Sequence, residues 1–159
     1  MKRVLIAYYS HTGNTEKMAR YIAEGLRIAG HEAEVRSIAE IKSGKDLLGY
    51  DGYIFGCPTY HMDIPKPFKT FLDLAAKVDL MGKIGGAFDC RTHPSSNETS
   101  VAGMIFTRME SEFKMKMTPL GPFDLKPNWL QGNASESLSS LEAIQACQDY
   151  GRVFAEMFG

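Results

Sequence analysis

Ser10, Thr12 and Thr15 bring three hydroxyls close together along the chain, with His11, Gly13 and Asn14 filling the same stretch. Each hydroxyl can donate a hydrogen bond, and Gly13 lets the backbone approach a ligand without a Cβ in the way. Main-chain N–H groups at the start of a following helix would add donors, and the helix dipole favours an anion there by about 0.3–1 kcal/mol. No lysine or arginine lies between Ser10 and Thr15, so hydrogen bonds must hold the ligand, which suits a monophosphate better than a triphosphate. The plainer use of the same residues is to cap a helix, because serine, threonine and asparagine are ordinary capping residues.

Other chemistries are excluded by what the chain lacks. Neither G-x-x-x-x-G-K-[ST] nor G-x-G-x-x-G occurs, so a Walker-type nucleotidase and a dinucleotide fingerprint are both unsupported. H-E-x-x-H and G-x-S-x-G are also missing, which removes the zincin helix and the nucleophile elbow. Cys57, Cys90 and Cys147 are odd in number and form no C-x-x-C pair, against a disulfide framework or a zinc site. With 18 basic and 19 acidic residues, a formal charge of -1 and no long like-charged block, nucleic acid is not an expected partner. No apolar run approaches the roughly 18 residues of a membrane span, and the segment after Met1-Lys2-Arg3 ends at polar Ser10, so a cytoplasmic location is expected.

The elements that must position the cradle follow from periodicity. Val4 to Tyr9 is an apolar run that reads as a buried strand, and Met18, Ala19, Ile22, Leu26 and Ala29 then recur at helical spacing up to Gly30. His31 to Ile38 alternates as a strand at or near a sheet edge, and one short turn is expected around Leu47 and Leu48. Tyr53 to Cys57 is wholly apolar, as a strand covered on both faces should be, and is expected to stop at Pro58. Pro65 and Pro67 open a helix with Phe68, Phe71, Leu72 and Ala75 as its buried stripe. Ile84 to Phe88 is a further strand, and Ser95 to Glu98 fits a capping box for a helix carrying Val101, Met104, Ile105 and Met109. Met115 and Met117 alternate, but Pro119, Gly121 and Pro122 interrupt, so a split or bulged last strand resuming near Phe123 is expected. Asn133 to Glu136 would cap a final helix with Leu138, Leu141, Ile144, Cys147, Gly151 and Phe154 as its stripe.

Alternating strands and helices with short connections imply a doubly wound α/β fold, a five-stranded parallel sheet in one domain spanning residues 1–159. In such sheets the ligand sits beyond the carboxyl ends of the strands, where the strand order reverses. The loops after Tyr9, Cys57 and Phe88 are therefore the functional ones.

The segment S-x-T-G-N-T, after an N-terminal strand, resembles the FMN phosphate loop of the flavodoxin family. Gly56-Cys57-Pro58-Thr59-Tyr60 resembles the G-x-P-T-Y segment of flavodoxin-like domains, including those fused to diiron oxidases and those of flavoprotein quinone reductases. The likeness runs from Lys2 to the last helix. It implies the strand order 2-1-3-4-5 with helices on both faces, FMN as cofactor, and electron transfer as function. It also implies that Ser10, His11, Thr12, Gly13, Asn14 and Thr15 hold the phosphate. Pro58, Thr59, Tyr60, His61 and Met62 would run along the flavin ring, with Tyr60 against it, and Asp89, Cys90, Arg91 and His93 would meet its pyrimidine edge through backbone groups. The third loop departs from the family, for it lacks the usual aromatic cover and acidic character. The outer ring face is left to His93, Trp129 or a bound partner.

His11, His61 and His93 fall on these loops, and with Lys66 and Arg91 they make the surroundings less acidic than a typical flavodoxin's. Cys57 and Cys90 would end neighbouring strands. A redox role for the pair is weighed against buried apolar filling, and the filling role is preferred. Two functions remain. A carrier would pass electrons between redox partner proteins; an NAD(P)H-dependent quinone or flavin reductase would deliver hydride to a small quinone-type acceptor. Neither needs a catalytic side chain, because the cofactor supplies the chemistry.

Overall fold

The computed structural model describes residues 1–10, 13–59, 63–91, 100–125 and 141–159, and of Arg91 the backbone. His11, Thr12, Tyr60, His61, Met62, His93, Trp129 and the expected caps at Ser95 to Glu98 and Asn133 to Glu136 lie outside the described residues.

β1 (Arg3–Tyr8) lies between β2 (Glu32–Ser37) and β3 (Gly52–Thr59) in a parallel sheet, and β4 (Ile84–Arg91) follows β3. β5 (Lys116–Met117) and β6 (Phe123–Leu125) both pair with β4, giving the order β2-β1-β3-β4-β5 with β6 beside β5 on the same strand. The last strand is thus split, as Pro119, Gly121 and Pro122 require: β5 pairs with Ile84 and Gly85, β6 with Phe88 to Cys90.

The helices are α1 (Asn14–Ile28), α2 (Lys66–Ala75), α3 (Val101–Ser111) and α4 (Leu141–Ala155). Side chains alternate across β1, so Val4, Ile6 and Tyr8 pack with α1 and α4, while Leu5 and Ala7 pack with α2 and α3. Both faces of the sheet are therefore covered, and each large apolar side chain buried there contributes about 1.5–3 kcal/mol. The turn around Leu47 buries that side chain, leaves Leu48 exposed, and is tied to β3 by Tyr53 Oη donating to the Leu47 carbonyl.

Several details differ from expectation, among them β4, which runs past Phe88 to Arg91. β3 continues through Pro58 to Thr59. The last β1–β3 bond is Tyr9 N to Gly56 O, and Pro58 has the same orientation as Gly56 in the pleat, so its missing N–H faces a side on which β1 has already ended. The described helix α3 is capped by Ser100, whose Oγ accepts from Gly103 N at 2.9 Å. On α4, Leu141 is exposed, and Ala143 and Tyr150 join Cys147, Gly151 and Phe154 on the buried face.

No helix among the described residues is long and apolar enough to cross a membrane.

Candidate functional site

The carboxyl ends of β1, β3 and β4 stand side by side, and of the expected binding residues the described ones, Ser10, Gly13, Asn14, Thr15, Pro58, Thr59, Asp89, Cys90 and the Arg91 backbone, lie at or just beyond them. Ser10 follows β1, and its Oγ accepts from Gly13 N at 2.9 Å. That bond closes the turn and uses the Ser10 oxygen as acceptor only, so its hydroxyl hydrogen is not spent on it. Gly13 has φ of 92°, in the left-handed region that a side chain disfavours, and it is the residue that starts α1.

The way α1 begins separates an anion cradle from an ordinary cap. The first N–H groups of any helix have no intrahelical acceptor, and a capping side chain normally takes one of them. Here the N-cap is glycine and supplies none, while Ser10 bonds the amide of the cap residue itself. Lys17 N already reaches Gly13 O, and among the described residues the amides of Asn14, Thr15 and Glu16 in the first turn have no acceptor. Asn14 and Thr15 are also almost fully buried, unusual for polar residues in a first turn. First-turn amides without an acceptor among the described residues, a left-handed glycine at the N-cap and buried hydroxyl and amide side chains fit a phosphate monoester. The donor set fits the terminal phosphate of FMN without help from a cation.

Glu16 is the acid nearest this turn, and it is held aside. Its carboxylate accepts from Tyr8 Oη at 2.8 Å and from Arg20, and these two bonds, in that order, keep its pKa below the usual range. Burial, then Glu16, pushes the Tyr8 hydroxyl up to about 12, so it stays a donor.

On the second loop, Thr59 ends β3, and its Oγ1 donates to Asp89 Oδ2 at 3.1 Å. Asp63 lies at the far side of that loop, exposed and paired with Lys69 at 2.9 Å. Cys57 and Cys90 do end neighbouring strands, but their register is offset by one: Cys57 pairs with Asp89, and Cys90 with Pro58. They therefore face opposite sides of the sheet, Cys57 toward α2 and α3 and Cys90 toward Cys147 of α4. Burial raises the pKa of all three thiols, so they are neutral and inert as nucleophiles. The filling role holds.

Asp89 is wholly buried. Its Oδ2 accepts from Thr59 and from Ala102 N, the latter at 2.9 Å and belonging to the first turn of α3. Asp124 of β6 is its register neighbour, and the Asp124 carboxyl lies against it. Sequence reading took Asp89 for a loop acid and passed over Asp124. The available signal was an aspartate in each of two apolar runs, Gly85 to Cys90 and Phe123 to Leu125.

A family model described as flavodoxin matches residues 6–118. An NAD(P)H dehydrogenase (quinone) of Sinorhizobium fredii is 32% identical over 133 residues, covering 69% of this chain and 67% of that protein. A flavodoxin of Clostridium saccharobutylicum is 35% identical over 102 residues, covering 64% and 59%. The crystal structure of oxidised Flavodoxin 2 from Bacillus cereus superposes with a TM-score of 0.78 at 28% identity, covering 98% of this chain and 99% of the other.

Proposed function

This chain belongs to the flavodoxin family and is an FMN-binding electron-transfer protein, and from that premise we propose which residues hold the cofactor and with whom it exchanges electrons. The phosphate is held by the Ser10, Thr12 and Thr15 hydroxyls and by the amides of Asn14, Thr15 and Glu16, with Gly13 giving the backbone its left-handed turn. The ring lies along Pro58, Thr59, Tyr60, His61 and Met62, with Tyr60 against it, and its pyrimidine edge meets backbone groups of Asp89, Cys90, Arg91 and His93. FMN, when bound, supplies the redox chemistry. The chain binds, orients and shields it, with no catalytic acid or base of its own.

The observation that supports this reading is the start of α1 on a left-handed glycine that offers no side-chain cap, beside the end of β1 and next to β3 in the sheet. Thr15→Ala tests it. FMN affinity should fall severalfold while riboflavin affinity hardly changes, since only FMN has a phosphate to lose. Equal weakening of both ligands would move the phosphate elsewhere.

The main reading is a carrier that receives electrons from one redox protein and hands them to another. The likeness to a quinone dehydrogenase over two thirds of the chain favours a second reading, hydride delivery from NADH or NADPH to a quinone. An anaerobic titration of the FMN-loaded protein decides. Bleaching of the flavin absorbance by a pyridine nucleotide supports the reductase; bleaching by dithionite alone supports the carrier. Three free, buried thiols suit a reducing compartment, and we place the protein in the cytoplasm on that ground.

A further inference from the structure

α2 carries two stripes along its length, and the core uses one of them. Phe68, Phe71, Leu72 and Ala75 are buried against the sheet. Pro67, Thr70, Leu74 and Lys77 recur at helical spacing on the adjoining face, where Leu74 is half-buried and the other three are exposed. That face lines a groove of about 390 Å³ whose other wall is the chain leaving β2, the 3₁₀ turn Ile38–Glu40 followed by Ile41 and Lys42. Ile41 and Phe71, both buried, lie beneath it, and Ile38 is half-buried at its side. The groove starts at the carboxyl edge of the sheet, where Ile38 follows β2 and Pro67 follows the second loop.

The charge around the groove is of one sign. Lys42 and Lys77 line it, and among the described residues neither meets a carboxylate. Asp73 lines it too, but its carboxylate accepts from Arg108 of α3 at 2.9 Å. Asp46 is turned to the chain's own backbone, accepting from Lys42 N and Ser43 N. The charge of Glu40 bears on Tyr8, which packs on the α1 side of the sheet. An apolar strip flanked by unanswered ammonium groups is complementary to a segment that carries apolar side chains and carboxylates together. A second copy of the chain is a poorer match, because a two-fold contact would bring these lysines against their own equivalents.

We propose that the groove between α2 and Ile38–Lys42 is the docking site of a redox partner, which enters it with an acidic amphipathic segment. The apolar side chains of that segment cover Ile38, Pro67 and Leu74, and its carboxylates meet Lys42 and Lys77. Because the groove begins where the second ring-side loop runs into α2, a seated partner stands next to the cofactor site. The proposal rests on the carrier reading given above.

The probe is a rhodamine-labelled helical peptide with leucine on one face and glutamate on the other, titrated by anisotropy into FMN-loaded protein. Two control peptides carry lysine for glutamate and alanine for leucine. The acidic leucine peptide should bind, and each control should bind about tenfold more weakly or not at all. Its amide shifts in two-dimensional NMR should be confined to residues 38–42 and 68–77. The double variant Lys42→Glu, Lys77→Glu should lose about tenfold in peptide affinity at about 0.01 M salt, less toward 1 M, with its FMN dissociation constant unchanged. Equal binding of the lysine peptide overturns the acidic partner, and equal binding of the alanine peptide overturns the apolar strip. Shifts elsewhere, wild-type affinity in the double variant, or no binding of any peptide overturns the groove. Self-association of the chain that perturbs the same amides puts a second copy there and overturns the partner. Rapid reduction of the bound FMN by NADPH would retire the carrier reading, while the peptide titrations still decide the groove.

Discussion

Tyr8 and Glu16 join the end of β1 to the first turn of α1, and the bond between them fixes how the strand hands over to the helix. Because the Glu16 pKa is lowered in the folded protein, its contribution to stability is present above the unfolded value near 4.3 and is lost as pH falls through the folded one. Tyr8→Phe removes the larger cause of that shift. The carboxylate is partly exposed and still has Arg20, so the loss should be about 1 kcal/mol at pH 7, narrowing toward pH 3, as read from urea midpoints. Gly13→Ala belongs to the same scale. It forces a Cβ into the left-handed region at about 1–2 kcal/mol, and it should weaken FMN more than riboflavin because the amides that follow are displaced.

At the scale of elements, α1 and α4 meet where Gly25 crosses Gly151. A Cβ on Gly151 would stand 2.2 Å from the Ile22 carbonyl oxygen, and one on Gly25 would stand 2.0 Å from that of Gln148. Gly151→Ala should therefore destabilise by about 2–3 kcal/mol in urea unfolding, although alanine is the better helix former by about 1 kcal/mol. The alternation of strand and helix, the buried stripe of α2 and the interruption of the last strand were all legible in the sequence, because each rests on local periodicity or on proline. What was not legible depends on register. Pro58 continues β3 only because β1 ends early, and Cys57 and Cys90 part company only because β3 and β4 pair one residue out of step. Asp89 looked like a loop residue because the apolar run was taken to end at Phe88; β4 runs three residues further. In Ser10 to Thr15 the residue types and spacing were legible, but they do not say which residue starts α1; that the N-cap is a glycine with no side chain to cap it came only from the fold.

For the molecule as a whole, cofactor binding is linked to folding, since the cradle exists only when β1 and α1 are joined. FMN at about one hundred times its dissociation constant should stabilise the protein by about 2.7 kcal/mol, a rise in melting temperature of about 5–10 °C for a chain of this size. Riboflavin at the same concentration should give a smaller rise. Differential scanning fluorimetry checks both.

The split last strand has a consequence for how copies of this chain meet one another. A sheet normally ends in a row of unpaired amides and carbonyls that any extended segment can extend, and the liability grows with the length of that row. Among the described residues the outer edge consists of two stubs, Lys116–Met117 and Phe123–Leu125, separated by a stretch containing Pro119 and Pro122. The opposite edge, β2, carries Glu32, Glu34 and Arg36, which a pairing strand would have to accommodate. Among the described residues neither border offers a straight template for fibril growth. Replacing Pro119 and Pro122 together by threonine would smooth the outer border, and that variant should gather thioflavin-positive aggregates on prolonged warming below its melting point while the wild type stays clear.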